Sequence, residues 1–446
     1  MVPRLVILVS LICGVPASGQ PDPGQLLAQG SSLAREIDNA ERRSRALSVL
    51  VSAYAPHGPE RALELAREIP EGDLRDAALV KVAGALASAD LDAALAIAES
   101  LTDRFYQPFR SQALGAIAAT VALQDPRRAE DLADRIAAAA ARDRALADVA
   151  LGVARVEPKR AARVASRAAS PEAVVRAITR LIPVLAETEP GAAETAMVLA
   201  SRKLDEVPDL ARWQLLSDLV QVGASVDPER AARYAEAIGD QEALAYALAA
   251  VGAVFAAAEQ SDARARGKAL FERAVEIVAQ LSPVRRISGL ARLSAVAKGF
   301  DPGLADHLTA QVDGAVLRVA DEEERDAALL AVASHEGPVH LQRALNAAQR
   351  IQDPLLAARG YRLIAEAIVG DSSEGAQQAL QSGLARAKEI TDDRLREPAI
   401  ARLCAAWARL SLPDALELMK GSLGPEGQVA AISAVLDTLA RQPSPN

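Results

Sequence analysis

Apolar residues recur along this chain at helical spacing almost from end to end, in segments that resemble one another. The stretch "RIQDPLLAARGYRLIAEAI" from Arg350 returns in varied form as "REIDNAERRSRALSVLVSAYA" from Arg35, "SLTDRFYQPFRSQALGAIAATVA" from Ser100 and "EITDDRLREPAIARLCAAWARL" from Glu389. No sustained polar and apolar alternation bounded by hairpin turns accompanies it. The pattern predicts an all-α protein.

Between these segments stand helix starts of the form Pro-x-x-Ala at Pro59, Pro126, Pro158, Pro190, Pro228 and Pro302, with Leu27, Leu91, Leu341 and Leu412 at equivalent points. The separations from 27 to 59, 59 to 91, 126 to 158 and 158 to 190 are all 32 residues. Proline suits the first helical turn, where its missing N–H costs nothing, and the Asp or Glu before it suits an N-cap. Each start opens a second helix such as "ERALELAREI" (60 to 69), "ERAARYAEAI" (229 to 238) or "QRALNAAQRI" (342 to 351). Thirty-two residues hold two short helices and two turns, and neither helix buries its apolar stripe alone. Stacked pairs bury a continuous core, so the expected fold is an α-solenoid: a right-handed superhelix of antiparallel helix pairs, with about twelve repeats of 32 to 40 residues. At about 8 to 10 Å per helix, an open stack would extend on the order of 100 Å.

The units lengthen at "AAAEQSDARARGKALFERAVEIV" and at "VGDSSEGAQQALQSGLARAKEI". These insertions fit either one array with longer helices or two arrays joined near residue 260. No Gly/Ser-rich linker intervenes, which favours the former.

The segment "GKALFERAVEIVAQLSP" (267 to 283) resembles the second helix of a tetratricopeptide repeat. The layout "R-x-x-A-L-x-x-I-A... DP-x-x-A-L-x-x-A" is similar to tetratricopeptide and HEAT-type units of bacterial envelope solenoids. The resemblance implies a helical scaffold that binds a protein or peptide on its concave face.

Composition sharpens the picture. Half of the 446 residues are hydrophobic and only 3% aromatic, so Ala, Leu, Val and Ile carry the core, which suits closely packed helices. A net charge of -9 argues against a nucleic-acid partner, whose phosphates call for surplus Lys and Arg. The start, "MVPRLVILVSLICGVPASGQ", has a basic residue, an apolar run and small residues ending Ala17-Ser18-Gly19. That is the layout of a signal peptide cleaved after Gly19 or Ala17, and its apolar run is shorter than the roughly 20 residues a membrane span needs. The expectation is a periplasmic or secreted protein with no stable membrane span after cleavage. Residues 1–19 are then the signal, 20–26 a linker, 27–440 the solenoid and 441–446 a disordered tail. Cys404 would be the remaining thiol, so packing rather than a disulfide must stabilise the chain.

Catalytic signals are weak, and neither a cofactor nor a metal is expected. "HEGPVH" (335 to 340) has one residue too many for a zinc-binding helix, and Gly337-Pro338 would break that helix. "GDSSEG" at 370 reads as a helix cap rather than a nucleophile. Two features are candidates for partner binding. A series of arginines, Arg43, Arg75, Arg110, Arg142, Arg212, Arg286, Arg325, Arg359 and Arg396, stands three residues before a mostly small position in the first helix of nine units, with Val174, Leu244 and Gln428 in the others. Either each guanidinium ties itself to carbonyl or Asp groups ending the preceding helix, or together they grip an acidic partner. "RFYQPFR" (104 to 110) gathers aromatics in an inter-helix loop, which serves either as a binding hot spot or as packing. The candidate partner-binding residues are therefore Arg104, Phe105, Tyr106, Phe109, Arg110, Arg142 and Arg212. The function expected is an exported non-catalytic scaffold. The alternative is an envelope enzyme or carbohydrate-acting factor with its site on the concave face.

Overall fold

A computed structural model describes residues 22–441 apart from Phe105, Pro338 and Val339. The expected signal peptide, the first residues of the linker and the tail from residue 442 lie outside the described residues, as does Phe105. Among the described residues the chain forms helices joined by short loops, and its one extended pairing is an isolated bridge between Asp103 and Pro108.

The twelve first helices of the units are α2 (Ala40–Tyr54), α4 (Asp73–Leu86), α6 (Phe109–Val121), α8 (Ala139–Val156), α10 (Pro171–Thr188), α12 (Asp209–Gly223), α14 (Gln241–Ala256), α16 (Pro283–Ala297), α18 (Glu322–Glu336), α20 (Pro354–Ile368), α22 (Asp393–Trp407) and α24 (Pro425–Arg441). Alternating with them are α1 (Pro23–Arg35), α3 (Pro59–Arg67), α5 (Leu91–Ser100), α7 (Pro126–Asp134), α9 (Pro158–Ala165), α11 (Pro190–Leu204), α13 (Pro228–Ala235), α15 (Ser261–Ala279), α17 (Pro302–Val316), α19 (Leu341–Arg350), α21 (Ser373–Lys388) and α23 (Leu412–Ser422). All six anticipated proline starts occupy the first position of a helix. Leu91, Leu341 and Leu412 also open helices, whereas α1 begins at Pro23, inside the expected linker. The lengthened units are longer second helices, α15 and α21, within a single run of packed helices. No helix among the described residues is long and apolar enough to cross a membrane.

Capping explains where these helices start. At α5, α7, α13, α17, α18 and α20 an Asp side chain accepts the N–H of a first-turn residue at 2.7–3.1 Å. Such a cap contributes about 1 kcal/mol. At α17 the Leu304 N–H, with Lys268 beside it, holds the Asp301 carboxyl below the usual range.

The stack does not stay open. Each even-numbered helix packs on the next even-numbered one from α2 through α24, and α24 packs on α1 and α2. At this seam Gly30 of α1 faces Ile432, the His57 ring bonds the Leu436 carbonyl at 2.9 Å, and Arg42 stands 3.8 Å from Glu426. The molecule is a closed ring of twelve hairpins, not the extended rod that an open stack implies. Odd-numbered helices hardly meet one another, α9 and α11 being the principal exception. In a closed double layer the inner circumference is the shorter one, so the layer in continuous contact is the inner one.

One register repeats around the inner layer. A buried or half-buried pair, a small residue then a large one, recurs as Ala46-Leu47, Ala78-Leu79, Ala113-Leu114, Ala145-Leu146 and so on to Ala431-Ile432. Counting three residues back from the small member gives the arginine series. Seen this way Arg359 is out of step: the pair in α20 is Gly360-Tyr361, so the equivalent position is Ala357, and Arg359 lies exposed two residues on.

The tightest approach is at α14 and α15. There the Gly267 backbone lies against α14 so closely that an added Cβ would sit 2.2 Å from the Ala256 nitrogen. Only glycine permits that separation.

Candidate partner-binding surface

The loop between α5 and α6 is built from local bonds. Arg104 and Gln107 exchange backbone hydrogen bonds at 3.0 and 3.1 Å, and the Asp103 carboxylate accepts the Ser111 N–H at 2.9 Å and its hydroxyl at 2.5 Å. Arg104 reaches back to Asp73 and stands 3.6 Å from Asp76, which ties the loop to the start of α4. Tyr106 is 86% exposed and Arg110 is exposed. Phe109, at 2% exposure, belongs to the core and offers a partner nothing. Arg142 lies on α8, one hairpin further along the ring, and Arg212 on α12, three hairpins along. The sequence-derived residues therefore do not form one site.

The arginine series divides as well. Arg43 and Arg396 each donate to the carbonyl six residues earlier, Ile37 and Ile390, at 3.0 and 3.3 Å. Arg212 donates to Asp205 at 2.9 Å and lies over the Trp213 ring, and Arg75 stands 3.7 Å from Glu71. These guanidiniums join the start of an inner helix to the residues just before it, which is the structural role.

Buried polar residues do comparable work between hairpins. Asp143 accepts the Ala169 and Ser170 N–H groups at 2.6 and 3.3 Å. Asp326 accepts Gln352 N–H at 3.0 Å and Asp353 N–H at 2.8 Å. In both cases a buried carboxylate accepts backbone N–H groups at the entry to the next inner helix, which lack an intrahelical partner.

The zinc-like string behaves as its extra residue implies. α18 ends at Glu336, which is fully buried and accepts Arg343 Nε at 2.7 Å; burial pushes its carboxyl up and the Arg343 guanidinium pulls it back. Burial, with Arg292 nearby, pushes the His335 ring down. Among the described residues no group of three His, Cys, Asp or Glu side chains is placed to hold a metal ion. Ser372 caps α21 by accepting the Gly375 N–H at 3.1 Å, the role its position suggested.

The free face of the inner layer carries a feature that residue-by-residue inspection of the sequence missed. With the buried pair three and four residues past the register position, the positions two and six past it point away from the outer helices and line the inside of the ring. Around the twelve hairpins these 24 positions hold Arg45, Lys81, Arg144, Arg176, Arg180, Arg292, Arg359 and Arg402, against only Asp148 and Asp218. All eight cations except Arg292 are exposed. Arg359, out of step with the structural series, thus takes its place here. An acidic chain presents a basic inner belt.

The belt is uneven. Seven of its cations lie on the arc running from α20 through the seam to α10, with Asp148 as the sole carboxylate there. Arg180 bonds Asp148 at 3.1 Å, Arg45 bonds Glu41 at 3.1 Å and Arg176 bonds Glu172 at 2.6 Å. Lys81, Arg144, Arg359 and Arg402 have no ion-pair partner among the described residues. On the opposite arc a cleft of about 260 Å³ between α12, α14 and α16 is lined by Gln214, Asp218, Gln221, Glu242, Tyr246 and Arg292. Arg292 crosses the Tyr246 ring at 4.2 Å to reach Gln221 at 2.7 Å. Burial, then the neighbouring Glu242, pushes the Tyr246 hydroxyl up to about 12.

No protein-family model matches the chain, and no curated protein does either. Among solved structures it is similar to Ton1535 from Thermococcus onnurineus NA1, at 18% identity over 77% of this chain and 94% of that one, with a TM-score of 0.26. It is also similar to a circular tandem repeat protein with novel repeat topology (14% identity, 94% and 96% coverage, TM-score 0.20) and to an engineered protein (16%, 94% and 99%, TM-score 0.19). At such TM-scores these likenesses carry no argument. The helical-repeat architecture rests on this chain's own packing.

Proposed function

We propose that the protein is an exported, non-catalytic helical-repeat scaffold that binds a protein or peptide partner on the inner wall of its ring. The observation that carries this reading is the concentration of exposed cations on the free face of the inner helices, in a chain whose net charge is -9. At the neighbouring register position Arg43, Arg75, Arg212 and Arg396 are engaged by the chain's own carbonyl and carboxylate groups, whereas Lys81, Arg144, Arg359 and Arg402 of the belt have no ion-pair partner among the described residues. The cleft around Tyr246 supplies hydrogen bonds and charge to a ligand. The arrangement of the first nineteen residues supports export.

The test is affinity capture from envelope extract with a tagged protein. Filling the wall with Ala331→Trp and Ala434→Trp should abolish recovery of the partner, and Tyr106→Ala with Arg110→Ala should leave it intact. Equal recovery with the filled wall refutes the inner-wall site, and loss with the loop variant transfers the site to the α5 to α6 loop. Export is checked by fractionation and by sequencing the isolated protein, whose first residue should be Ser18 or Gln20. Retention of residues 1–19 refutes it.

A further inference from the structure

The geometry points to a partner of definite chemistry: we propose that the cationic arc of the inner wall receives an extended acidic segment of a protein, with one carboxylate meeting each cationic hairpin. This rests on the inner-wall reading above and specifies its occupant.

Charge complementarity is the first argument. Along the arc the cations stand on α20, α22, α2, α4, α8 and α10, two or six residues past the register position and so within about one helical turn of one another, which makes a band rather than scattered surface charges; α24 and α6 carry none. Arg359, Arg402, Lys81 and Arg144 have no carboxylate partner among the described residues and remain available. A concave band in which cations outnumber carboxylates, eight to two at the belt positions, draws an oppositely charged chain in.

Spacing is the second. Neighbouring inner helices lie about 8 to 10 Å apart. A polyproline II segment rises about 3.1 Å per residue with three residues per turn, so every third side chain returns to the same side after about 9 Å. An acidic residue at every third position of such a segment therefore recurs at about the spacing of neighbouring inner helix axes, with α6 and α24 passed without a cation. A β-strand fails this match, because its residues three apart point to opposite faces.

The surroundings favour protein over nucleic acid. Tyr246 is the one aromatic at the belt positions, so a wall for stacking bases is lacking. Two residues before the register position the inner helices carry Glu41, Asp73, Glu172, Glu242, Glu323 and Glu426 in their first turns. This acidic rim suits the helix N-termini and flanks the basic band. It opposes a continuous polyphosphate, whereas a peptide can place its carboxylates only where the band is.

Fluorescence anisotropy with three labelled probes tests the proposal: (Glu-Pro-Ala)8, (Lys-Pro-Ala)8 and a single-stranded oligothymidylate of matching charge. The acidic peptide should bind at 50 mM salt, weaken at least tenfold at 0.5 M, and bind at least tenfold more tightly than either other probe. The variant Lys81→Gln/Arg144→Gln/Arg359→Gln/Arg402→Gln should lose at least tenfold in affinity. Its charge-matched control is Arg67→Gln/Arg127→Gln/Arg163→Gln/Arg233→Gln, which alters exposed outer-layer residues and should bind like the unmodified protein. All eight positions are exposed, and circular dichroism confirms that both variants fold. Equal loss in the two variants, no binding of the acidic peptide, or oligothymidylate binding as tightly as the peptide each overturns the proposal. Absence of peptide binding while the extract partner is still captured through the wall overturns the acidic occupant alone; loss of both overturns the inner-wall reading as well.

Discussion

Replacing Ile432 by alanine separates a ring from an open stack. Ile432 is fully buried on α24 and packs toward Gly30 of α1, across a seam whose two sides are some 400 residues apart in sequence. Removing its three outer carbons costs the lost transfer energy plus a cavity, about 3 kcal/mol at a well-packed site. In an open array that loss stays within the last hairpin, because each unit contacts only its neighbours. In the ring the neighbours of α24 include α1 and α2, so the loss is shared with the opposite end of the chain. At about 1.4 kcal/mol per factor of ten, local opening of the seam should become about 10²-fold more frequent. Hydrogen exchange followed by mass spectrometry reads this directly: amides of residues 23–54 should exchange about 10²-fold faster in Ile432→Ala. Unchanged protection there, with faster exchange confined to the final hairpin, would show that the seam contributes nothing and refute closure.

Three other outcomes follow from the packing and the buried groups. Gly267→Ala must push α14 and α15 apart and should destabilise by about 3 kcal/mol, whereas Gly191→Ala in α11, with open space around it, should be neutral or stabilising by up to about 1 kcal/mol; thermal denaturation compares them. Asp326→Ala removes the acceptor of the Gln352 and Asp353 N–H groups at the start of α20 and should cost about 1 to 2 kcal/mol in urea unfolding, with Asp326→Asn losing less. The Tyr246 hydroxyl, raised from about 10 to about 12, is held protonated more tightly by the folded chain than by the unfolded one. Its stabilising contribution is therefore intact below pH 10 and falls as pH rises from 10 toward 12. Ultraviolet titration should show a late tyrosine phase that Tyr246→Phe diminishes, the remainder belonging to Tyr361, whose hydroxyl burial also pushes up.

How much of this was legible in advance depends on the range of the cause. Helix starts were readable because capping is local: an Asp before Pro126, Pro228 or Pro302 decides the first turn from within four residues, whereas Glu157 and Glu189 before Pro158 and Pro190 make no capping bond. The solenoid was readable because a hairpin of about 32 residues has no other way to bury its stripe. Closure was not, because it depends on small rotations accumulated over every hairpin, and nothing in Gly30 or Ile432 alone announces that they meet. The site was only partly legible. "RFYQPFR" stood out by composition, yet Phe109 is core and Arg104 a strut to α4. Arg359 was grouped with the structural arginines because spacing alone does not distinguish a two-residue slip; the buried Gly360-Tyr361 pair settles it. The belt itself was present in the sequence once the register of the buried pair was known, two and six residues past each register position.

A closed circle also limits how such a chain is able to change over evolution. An open solenoid gains or loses a unit at the cost of one more or one fewer neighbour. Here each of the twelve hairpins takes about 30° of a full turn, so an inserted or deleted unit forces every remaining interface to change its angle together or leaves a gap. Variation in this architecture should therefore fall on helix length, as in α15 and α21, and on the side chains that face the hole, while the number of hairpins stays put.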